Sequence, residues 1–264
     1  MNILTGIDPL RQTFDEVAVL YHEARPRYPE ALFTALVAAA GLQQGAKLLE
    51  IGPGTGQATV PLAARGFDIT AVELGAALAD VARHELRDHQ HVRVLTGAFE
   101  EMLLPSGSFD LVYAATALHW IQPAVKYTKP HSLLKPEGHL AIIHTHHTSD
   151  EAGDIFFNAS LPIFDRYGFT DRDQKPGFAM NKDLKPSAID ESLFRLVHFQ
   201  IFPIVITYSA RAYVRLLNTF SNHLVAPRGV QVAFFQEIEQ LIQDQFQGRV
   251  DKYFTMSLTV AKKL

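Results

Sequence analysis

Apolar residues occur with two different kinds of spacing along the first 150 residues of the chain. Short apolar bursts of strand length alternate with longer stretches in which apolar residues recur at helical spacing. The bursts are Ala46–Ile51, Asp68–Glu73, His91–Thr96, Phe109–Ala114 and His139–His144. An alternation of this kind buries a parallel sheet between two layers of helices. The pattern therefore predicts a doubly wound α/β fold with helices on both faces of the sheet.

Helices and two further strands complete the predicted sheet. Helical spacing is found in Pro29–Ala40, Gln57–Arg65, Ala76–Leu86 and roughly Trp120–Leu134. The segment Asp150–Lys185 contains prolines at 162 and 176, so helices with irregular connections are predicted there, covering one edge as a lid. Strands Phe199–Thr207 and Tyr253–Val260 flank a helical region, Ala210–Phe246, that is interrupted near Pro227. The sheet is thus predicted to have seven mostly parallel strands.

Composition excludes several classes of protein. The 264 residues carry 24 basic and 28 acidic side chains, a balance that argues against broad electrostatic binding of nucleic acid. Without cysteine there is no disulfide framework and no thiolate nucleophile. The apolar stretches are too short to cross a bilayer, and Met1–Glu16 does not resemble a secretory signal. A cytoplasmic protein without membrane or nucleic-acid partners is predicted.

A glycine-rich turn follows the first predicted strand. The sequence Leu48–Gly56 places glycine at 52, 54 and 56, where a ligand can approach the backbone closely. The G-x-G-x-G spacing differs from a dinucleotide fingerprint, and no Lys-Ser or Lys-Thr follows to indicate a P-loop. Glu73 ends the second strand 21 residues after Gly52, where its carboxylate can accept both hydroxyls of a ribose. The loop therefore predicts an adenosine ligand without phosphate.

Together with Glu50 before the loop and Phe109–Val112 opening the fourth strand, this segment resembles the class I S-adenosylmethionine-dependent methyltransferases. Tyr21–Pro29 and Ala117–Trp120 narrow the resemblance to the type 11 family, in the branch similar to trans-aconitate methyltransferases. The likeness covers the chain except about 150–191. It implies a Rossmann-like fold, S-adenosylmethionine as cofactor and S-adenosylhomocysteine as product.

The resemblance also implies four parts within one domain, 1–264. Residues 1–45 would form cover helices, 46–148 the cofactor-binding core, 149–198 a helical insertion or lid, and 199–264 the C-terminal strands and helices. The glycine loop would hold the methionyl part of the cofactor, Glu50 its ammonium group and Glu73 its ribose. The family often has aspartate at the position of Ala98, so adenine would instead meet the backbone N–H of Phe99 and the Glu100 side chain. The implied cofactor-binding residues are Tyr21, Arg25, Glu50, Gly52, Pro53, Gly54, Gly56, Glu73, Leu74, Ala98, Phe99, Glu100 and Ala115.

The accepting group decides which residues would act on it. A carboxylate nucleophile needs no base, and Arg25 could grip a second carboxylate of the same substrate. A hydroxyl or amine benefits from a base, for which His119 is the catalytic candidate. An aromatic ring could face the cationic sulfur. The predicted substrate-binding residues are Arg25, Tyr28, His119, Trp120, His144 and His146.

Plainer interpretations stay open for these residues. Trp120 could pack a helix on the sheet, His119 could be a hydrogen-bonding residue at a helix start, and Arg25 could pair with a surface acid. His144 and His146 point to the same side of a strand, but no acid in that burst completes a ligand set, so no metal is predicted.

The leading functional hypothesis is an S-adenosylmethionine-dependent methyltransferase acting on a small molecule, with an organic-acid carboxylate or a hydroxyl as acceptor. The alternatives are methylation of RNA or protein, a non-catalytic S-adenosylmethionine-binding protein, and an NAD-dependent oxidoreductase. The net charge of −4 disfavours RNA, as does Tyr113–Thr116 in the place of an Asn-Pro-Pro-Tyr type tetrapeptide. A monomer or a homodimer is predicted.

Overall fold

The computed structural model describes residues 9–149, 154–170 and 180–264. Within these ranges seven strands form one sheet in the order β3-β2-β1-β4-β5-β7-β6. Pairing is parallel from β3 to β5, and β7 runs antiparallel to both of its neighbours. The strands are β1 Lys47–Ile51, β2 Asp68–Glu73, β3 Val92–Thr96, β4 Phe109–Ala115, β5 Leu134–Thr148, β6 Phe194–Ser209 and β7 Arg249–Lys263. The predicted Rossmann-like, mostly parallel sheet is confirmed.

Helices pack on both faces of this sheet. The α-helices are α1 Ala18–Ala24, α2 Glu30–Ala39, α3 Thr59–Ala63, α4 Ala76–Glu85, α5 Thr128–Leu133, α6 Ile155–Arg166, α7 Ala210–Leu217, α8 Ser221–Leu224 and α9 Arg228–Gln245. Short 3-10 helices lie at Pro9–Val17, Leu118–Trp120 and Asn181–Asp183. Across the described ranges, none of the helices is both long and apolar enough to cross a membrane.

Two core clusters, one on each side of the sheet, follow from the alternation of side chains along the strands. Leu48 belongs to the cluster that includes α2, α3 and α9, whereas Leu49 and Ile51 belong to the cluster that includes α5. Because successive residues of a strand face opposite sides, a strand covered on both faces has to be apolar throughout. The strands of the sequence are therefore continuous apolar bursts because helices cover both faces of the sheet.

The predicted helix Trp120–Leu134 is wrong over its first half. A single 3-10 turn ends at Trp120, and α5 begins only at Thr128. Pro123 lies in the intervening segment, and a proline both lacks an N–H and disfavours helical geometry in the residue before it. The segment therefore runs as an irregular connection.

Strands β5, β6 and β7, at the antiparallel edge of the sheet, are longer than predicted. Strand β5 covers 15 residues where the apolar burst His139–His144 predicts six, and β7 pairs with it from His139 to Thr148. The polar end of β5 is therefore held by an antiparallel ladder, a long-range pairing that an apolar burst does not reveal.

Helix α6 and the short 3-10 helix Asn181–Asp183 lie in the described part of the predicted insertion, 149–198, whose last residues belong instead to strand β6, which begins at Phe194. The Phe156 ring of α6 makes edge contacts with Tyr213 of α7 at 5.1 Å and with Phe246 after α9 at 5.3 Å. Residues 150–153 and 171–179, including the predicted irregular connection at Pro176, lie outside the described residues. The placement of 149–198 as a lid stays a prediction.

A buried ion pair joins α6 to the sheet. The Asp154 carboxylate caps α6 by accepting the N–H of Phe157 at 2.8 Å, and it also binds the ammonium group of Lys252 on β7. The exposed fractions of the two charged side chains are 3% and 1%. Burial of either charge without the other is costly, so each depends on its partner.

We expect Asp154→Asn to destabilise the fold by about 3 kcal/mol, because it leaves the buried Lys252 charge without its counter-ion. The helix cap survives in this variant, since an asparagine oxygen can also accept the Phe157 N–H. Urea unfolding would measure the change, with Asp88→Asn on an exposed loop as the matched control. Equal midpoints for the two variants would contradict the structural role of the pair.

Candidate active site

The glycine loop leaves β1 at the carboxyl edge of the sheet. Gly52 has φ 65° and Gly54 has φ 57°, both in the left-handed region that side chains disfavour. A β-carbon on Gly52 would lie 2.7 Å from the β-carbon of Ala117, in the turn after β4. Glycine is therefore required where the two strand ends approach each other, and the loop backbone borders a cavity of about 320 Å³.

The carboxylate of Glu73 at the end of β2 holds this loop in place. One oxygen accepts the N–H of Gly54 at 2.8 Å and the other accepts the N–H of Gly75 at 3.0 Å. Glu73 is buried and lines the cavity. Because each carboxylate oxygen has two acceptor positions, holding the loop does not use up the capacity of Glu73 to accept from a ligand.

Glu50 offers an acceptor atom that the described residues do not use. Its Oε2 accepts the hydroxyls of Thr59 at 2.6 Å and Tyr113 at 2.7 Å, whereas its Oε1 is buried without a hydrogen-bond partner in the described chain. The pKa of Glu50 is raised to about 7, chiefly by burial; the hydrogen bonds from Thr59 and Tyr113 oppose this shift, and the negative charge of Glu73 adds to it. A carboxylate oxygen left in this state at a cavity wall suits a cationic group.

An aromatic cluster forms the roof over the loop. The Phe14 ring packs edge-on against Tyr21 of α1 at 5.9 Å and against Trp120 at 6.0 Å. All three side chains line the cavity, and a β-carbon on Gly54 would lie 3.7 Å from the Tyr21 ring. Asp15 anchors the segment by accepting the N–H of Leu78 in α4 at 2.9 Å. Trp120 thus packs on the N-terminal cover, over the cavity.

Arg25 is held by Thr219, which lies 194 positions later in the chain. Its Nε donates to the hydroxyl of Thr219 at 2.8 Å and its Nη2 to the carbonyl of Thr219 at 2.6 Å. The guanidinium lies 4.9 Å from the ring centre of Tyr21 and 4.5 Å from that of Phe220. Among the described residues no carboxylate lies within ion-pair distance of it, so the interpretation as a partner of a surface acid is not supported.

His119 lies at the cavity wall next to Trp120 and His144. The ring centres are 4.8 Å from Trp120 and 6.0 Å from His144. Burial lowers the pKa of His119, and the positive charge of Lys126 lowers it further. A neutral imidazole at this position can accept a proton at physiological pH.

Most of the predicted site residues meet at this cavity. Those that line it are Tyr21, Arg25, Tyr28, Glu50, Gly52, Pro53, Gly54, Glu73, Leu74, Phe99, Ala115, His119 and Trp120. They come from α1 and the segment after it, from the ends of β1, β2 and β4, and from the turns that follow strands β1 to β4. The carboxyl ends of parallel strands share one edge of the sheet, which explains why they converge.

Three predicted cofactor residues lie outside the cavity wall. Gly56 packs under α4, where a β-carbon would meet Leu86 at 3.6 Å. Ala98 does not line the cavity, and the Oε1 of Glu100 faces the N–H of Gln122 at 3.3 Å. At this end the wall is formed by Gly97 and Phe99.

The two strand histidines predicted to bind substrate also stay outside the wall. His144 lies behind His119, and the Nε2 of His146 is 2.8 Å from the hydroxyl of Ser257 on β7. The opposite face of β5, with Thr145 and His147, borders a second cavity of about 50 Å³. The described residues contain no group of three or more histidine, aspartate or glutamate side chains arranged to hold a metal ion.

Several cavity residues were not predicted. They include Phe14, Gln57, Leu78, Thr116, Phe220, Ser221 and Asn222. Phe14 and Phe220 belong to the N-terminal segment and to the turn before α8, far apart in sequence. Thr116 has φ 54°, which is rare for a β-branched residue and is typical of strained positions at functional sites.

Comparisons with known proteins point to one family. Residues 49–142 match the type 11 family model described as a methyltransferase domain. An uncharacterized methyltransferase of Mycobacterium tuberculosis is 33% identical over 162 residues, which make up 58% of this chain and 63% of that protein. Trans-aconitate 2-methyltransferase of Deinococcus radiodurans is 30% identical over 130 residues, 47% of this chain and 49% of the relative. The matched region thus spans less than two thirds of these relatives.

Solved structures of methyltransferase fold resemble the chain over most of its length. A protein described as a type II methyltransferase from Anaeromyxobacter dehalogenans has a TM-score of 0.62 at 23% identity, covering 89% of this chain and 97% of its own. The [4+2]-cyclase SpnF has a TM-score of 0.55 at 16% identity, covering 98% and 99%. At these identities the likeness concerns the fold.

The matched residues contain the glycine loop after β1, Glu73 on β2 and the turn after β4, which form one side of the cavity. Residues 49–142 of the chain are therefore similar to the methyltransferase domain of the type 11 family, as are the matched regions of the curated methyltransferases.

Proposed function

We propose that this protein transfers a methyl group from S-adenosylmethionine to a small molecule, with an organic-acid carboxylate or a hydroxyl as the accepting group. The observation that carries the proposal is the cavity of about 320 Å³ at the carboxyl edge of the sheet, lined on one side by the aromatic rings of Phe14, Tyr21 and Trp120. Cavities of this size take small ligands.

The residues present fit the cofactor of the family. The unpartnered Oε1 of Glu50 suits an ammonium group, and the second acceptor positions of Glu73 suit two ribose hydroxyls. Gly52 and Gly54 have no side chains, so the loop leaves the space between Glu50 and Glu73 open to a ligand. Near Gly97 and Phe99 we expect the backbone to meet the adenine edge.

When bound, the cofactor would supply a methyl group on a positively charged sulfur. The methyl carbon would bond to the acceptor oxygen as its bond to the sulfur breaks. The protein then has to align the acceptor and exclude water, and the aromatic roof is the part of the site best placed to do this. Tyr21 and Trp120 present ring faces or edges to the cavity. His119 can take the proton when the acceptor is a hydroxyl, whereas a carboxylate releases none.

The identity of the acceptor is supported from two directions. The Deinococcus relative is named for trans-aconitate, a tricarboxylate, which favours an organic acid. Arg25, without a carboxylate partner in the described residues, supplies a cation at the cavity wall. The fold alone does not decide the activity, since the cyclase SpnF shares it.

We expect the purified protein to transfer labelled methyl from S-adenosylmethionine into the small-molecule fraction of a cell extract, and into trans-aconitate when that acid is supplied alone. Separation of the extract into small-molecule, RNA and protein fractions measures this directly. Lability of the product to mild base identifies an ester. Label confined to RNA or protein would contradict the proposal, and absence of label while S-adenosylhomocysteine still binds would favour a non-catalytic or non-methylating protein.

Glu73→Gln should weaken S-adenosylhomocysteine binding by roughly 1 to 3 kcal/mol, because a neutral amide gives weaker bonds to the ribose and to the Gly54 N–H. Titration calorimetry measures the change. Glu101→Gln, on the exposed turn after Glu100, is the control and should bind as the unaltered protein does. An unchanged dissociation constant for Glu73→Gln would remove Glu73 from the cofactor site.

Cofactor affinity should fall as the pH drops through about 7, where Glu50 becomes protonated. The sign follows from the pKa raised by burial: below it the carboxyl is neutral and no longer attracts an ammonium group. Binding of S-adenosylhomocysteine measured from pH 6 to 8.5 tests this. Glu50→Gln should bind weakly and without this pH dependence; a pH dependence that persists in Glu50→Gln would assign it to another group.

A further inference from the structure

Lys129 of α5 holds the turn after β3 from outside the cavity. Its ammonium group donates to three backbone carbonyls of that turn, those of Phe99 at 2.6 Å, Glu100 at 3.0 Å and Met102 at 2.8 Å. An ammonium group has three N–H donors, so all of them can be used within this turn. We call residues 97–102 the β3 turn. Lys129 does not line the cavity, whereas Phe99 does.

The carbonyl oxygens of the β3 turn depend on the ammonium group that they share. Residues 97–102 belong to no helix or strand, so neither kind of element fixes their backbone. Oxygens that converge on one point repel one another unless a cation lies between them. Hydrogen bonds from a charged donor are also stronger than those from a neutral one. The shape of the β3 turn is therefore set largely by one side chain.

Core packing fixes the position of Lys129. Pro130 and Leu133 of α5 are buried, and Leu133 belongs to the same core cluster as Phe99. The ammonium group of Lys129 also lies 5.0 Å from the centre of the Phe99 ring, a distance at which a cation and an aromatic face attract each other. The cavity wall at Phe99 is thus tied to a helix that is itself anchored in the core.

At this end the cavity wall offers a backbone donor and no carboxylate. Ala98 has no polar side chain, and neither Ala98 nor Glu100 lines the cavity. The described residues supply no acceptor for the backbone N–H of Phe99. The N1 atom of adenine accepts a hydrogen bond, whereas N1 of hypoxanthine carries a hydrogen and cannot. A donor held in one orientation can therefore distinguish these two bases.

We propose that Lys129 is a positioning residue for adenine recognition: by binding three carbonyls of the β3 turn, it keeps the Phe99 N–H directed at the purine ring of the cofactor. The proposal rests on the proposed function for the identity of that ligand. It assigns the choice between two bases to a side chain that touches neither of them. The same number of donors on a mobile turn would bind both bases with similar affinity, because the turn could adapt to each.

The test compares Lys129→Met with Lys47→Met, whose exposed side chain lies at the start of β1, at the opposite edge of the sheet. Titration calorimetry measures binding of S-adenosylhomocysteine and of S-inosylhomocysteine, which carries hypoxanthine in place of adenine. The unaltered protein should prefer the adenine compound. Lys129→Met should reduce this preference by roughly tenfold, mainly through weaker binding of S-adenosylhomocysteine. Lys47→Met should leave both dissociation constants unchanged.

The ratio of the two dissociation constants separates positioning from general support of the fold. A residue that only stabilises the protein would lower the urea midpoint and weaken both ligands by the same factor. That result, or an unchanged ratio, would overturn the proposal. If the unaltered protein binds S-adenosylhomocysteine but methylates nothing, the proposed function fails and the role of Lys129 is still decided by the ratio. If it does not bind this ligand, both fail.

Lys129→Arg provides a conservative variant, which also serves if Lys129→Met does not fold. Arginine keeps the positive charge and several N–H donors, although its planar group cannot match the three carbonyls as an ammonium group does. Lys129→Arg should therefore retain more of the preference for adenine than Lys129→Met. A preference equal to that of Lys129→Met, or lower, would count against charged donation to the β3 turn as the cause.

Discussion

The site depends on one hydrogen-bonded carboxylate, that of Glu73, which accepts the backbone N–H groups of Gly54 and Gly75. The first bond ties the glycine loop after β1 to the end of β2, and the second fixes the turn into α4. With the loop held in this way, Gly52 can pass close to Ala117, and the ends of three strands enclose one cavity. A buried charge satisfied by backbone donors is a strong fixed point on which the surrounding loops can be built.

The cavity has two electrostatically different ends. Glu50 and Glu73 make the side under the glycine loop acidic, and Arg25 makes the side under the turn before α8 basic. A molecule that carries a cationic and an anionic group can satisfy both ends at once. The wall between the two ends is aromatic: Phe14, Tyr21 and Phe220 line the cavity there and add apolar surface without adding charge.

Much of the fold and the cofactor side of the site could be predicted from the sequence, because both follow from local patterns. The apolar bursts predict strands, and the residues that end parallel strands meet at one edge. The side of β5 that faces the site could not be predicted in this way. Every residue from His144 to Thr148 is polar, so the sequence does not indicate which face of this part of β5 points inward. In the structure Thr145 and His147, and not His144 and His146, line the second cavity. Phe14 and Phe220 were missed for a different reason, since they reach the cavity through contacts between distant segments.

The bond between Arg25 and Thr219 joins residues 194 positions apart in the sequence. During synthesis Arg25 leaves the ribosome long before Thr219 has been made. The glycine loop, Glu50 and Glu73, by contrast, lie within 25 residues of one another in the sequence. The acidic half of the cavity can thus be assembled early by the growing chain, and the basic half only after β6 and α7 have been made. Contacts of such long sequence separation slow the final stage of folding. A nascent chain that ends before Thr219 lacks the residue that binds Arg25, so it cannot hold a ligand at both ends as the complete site can.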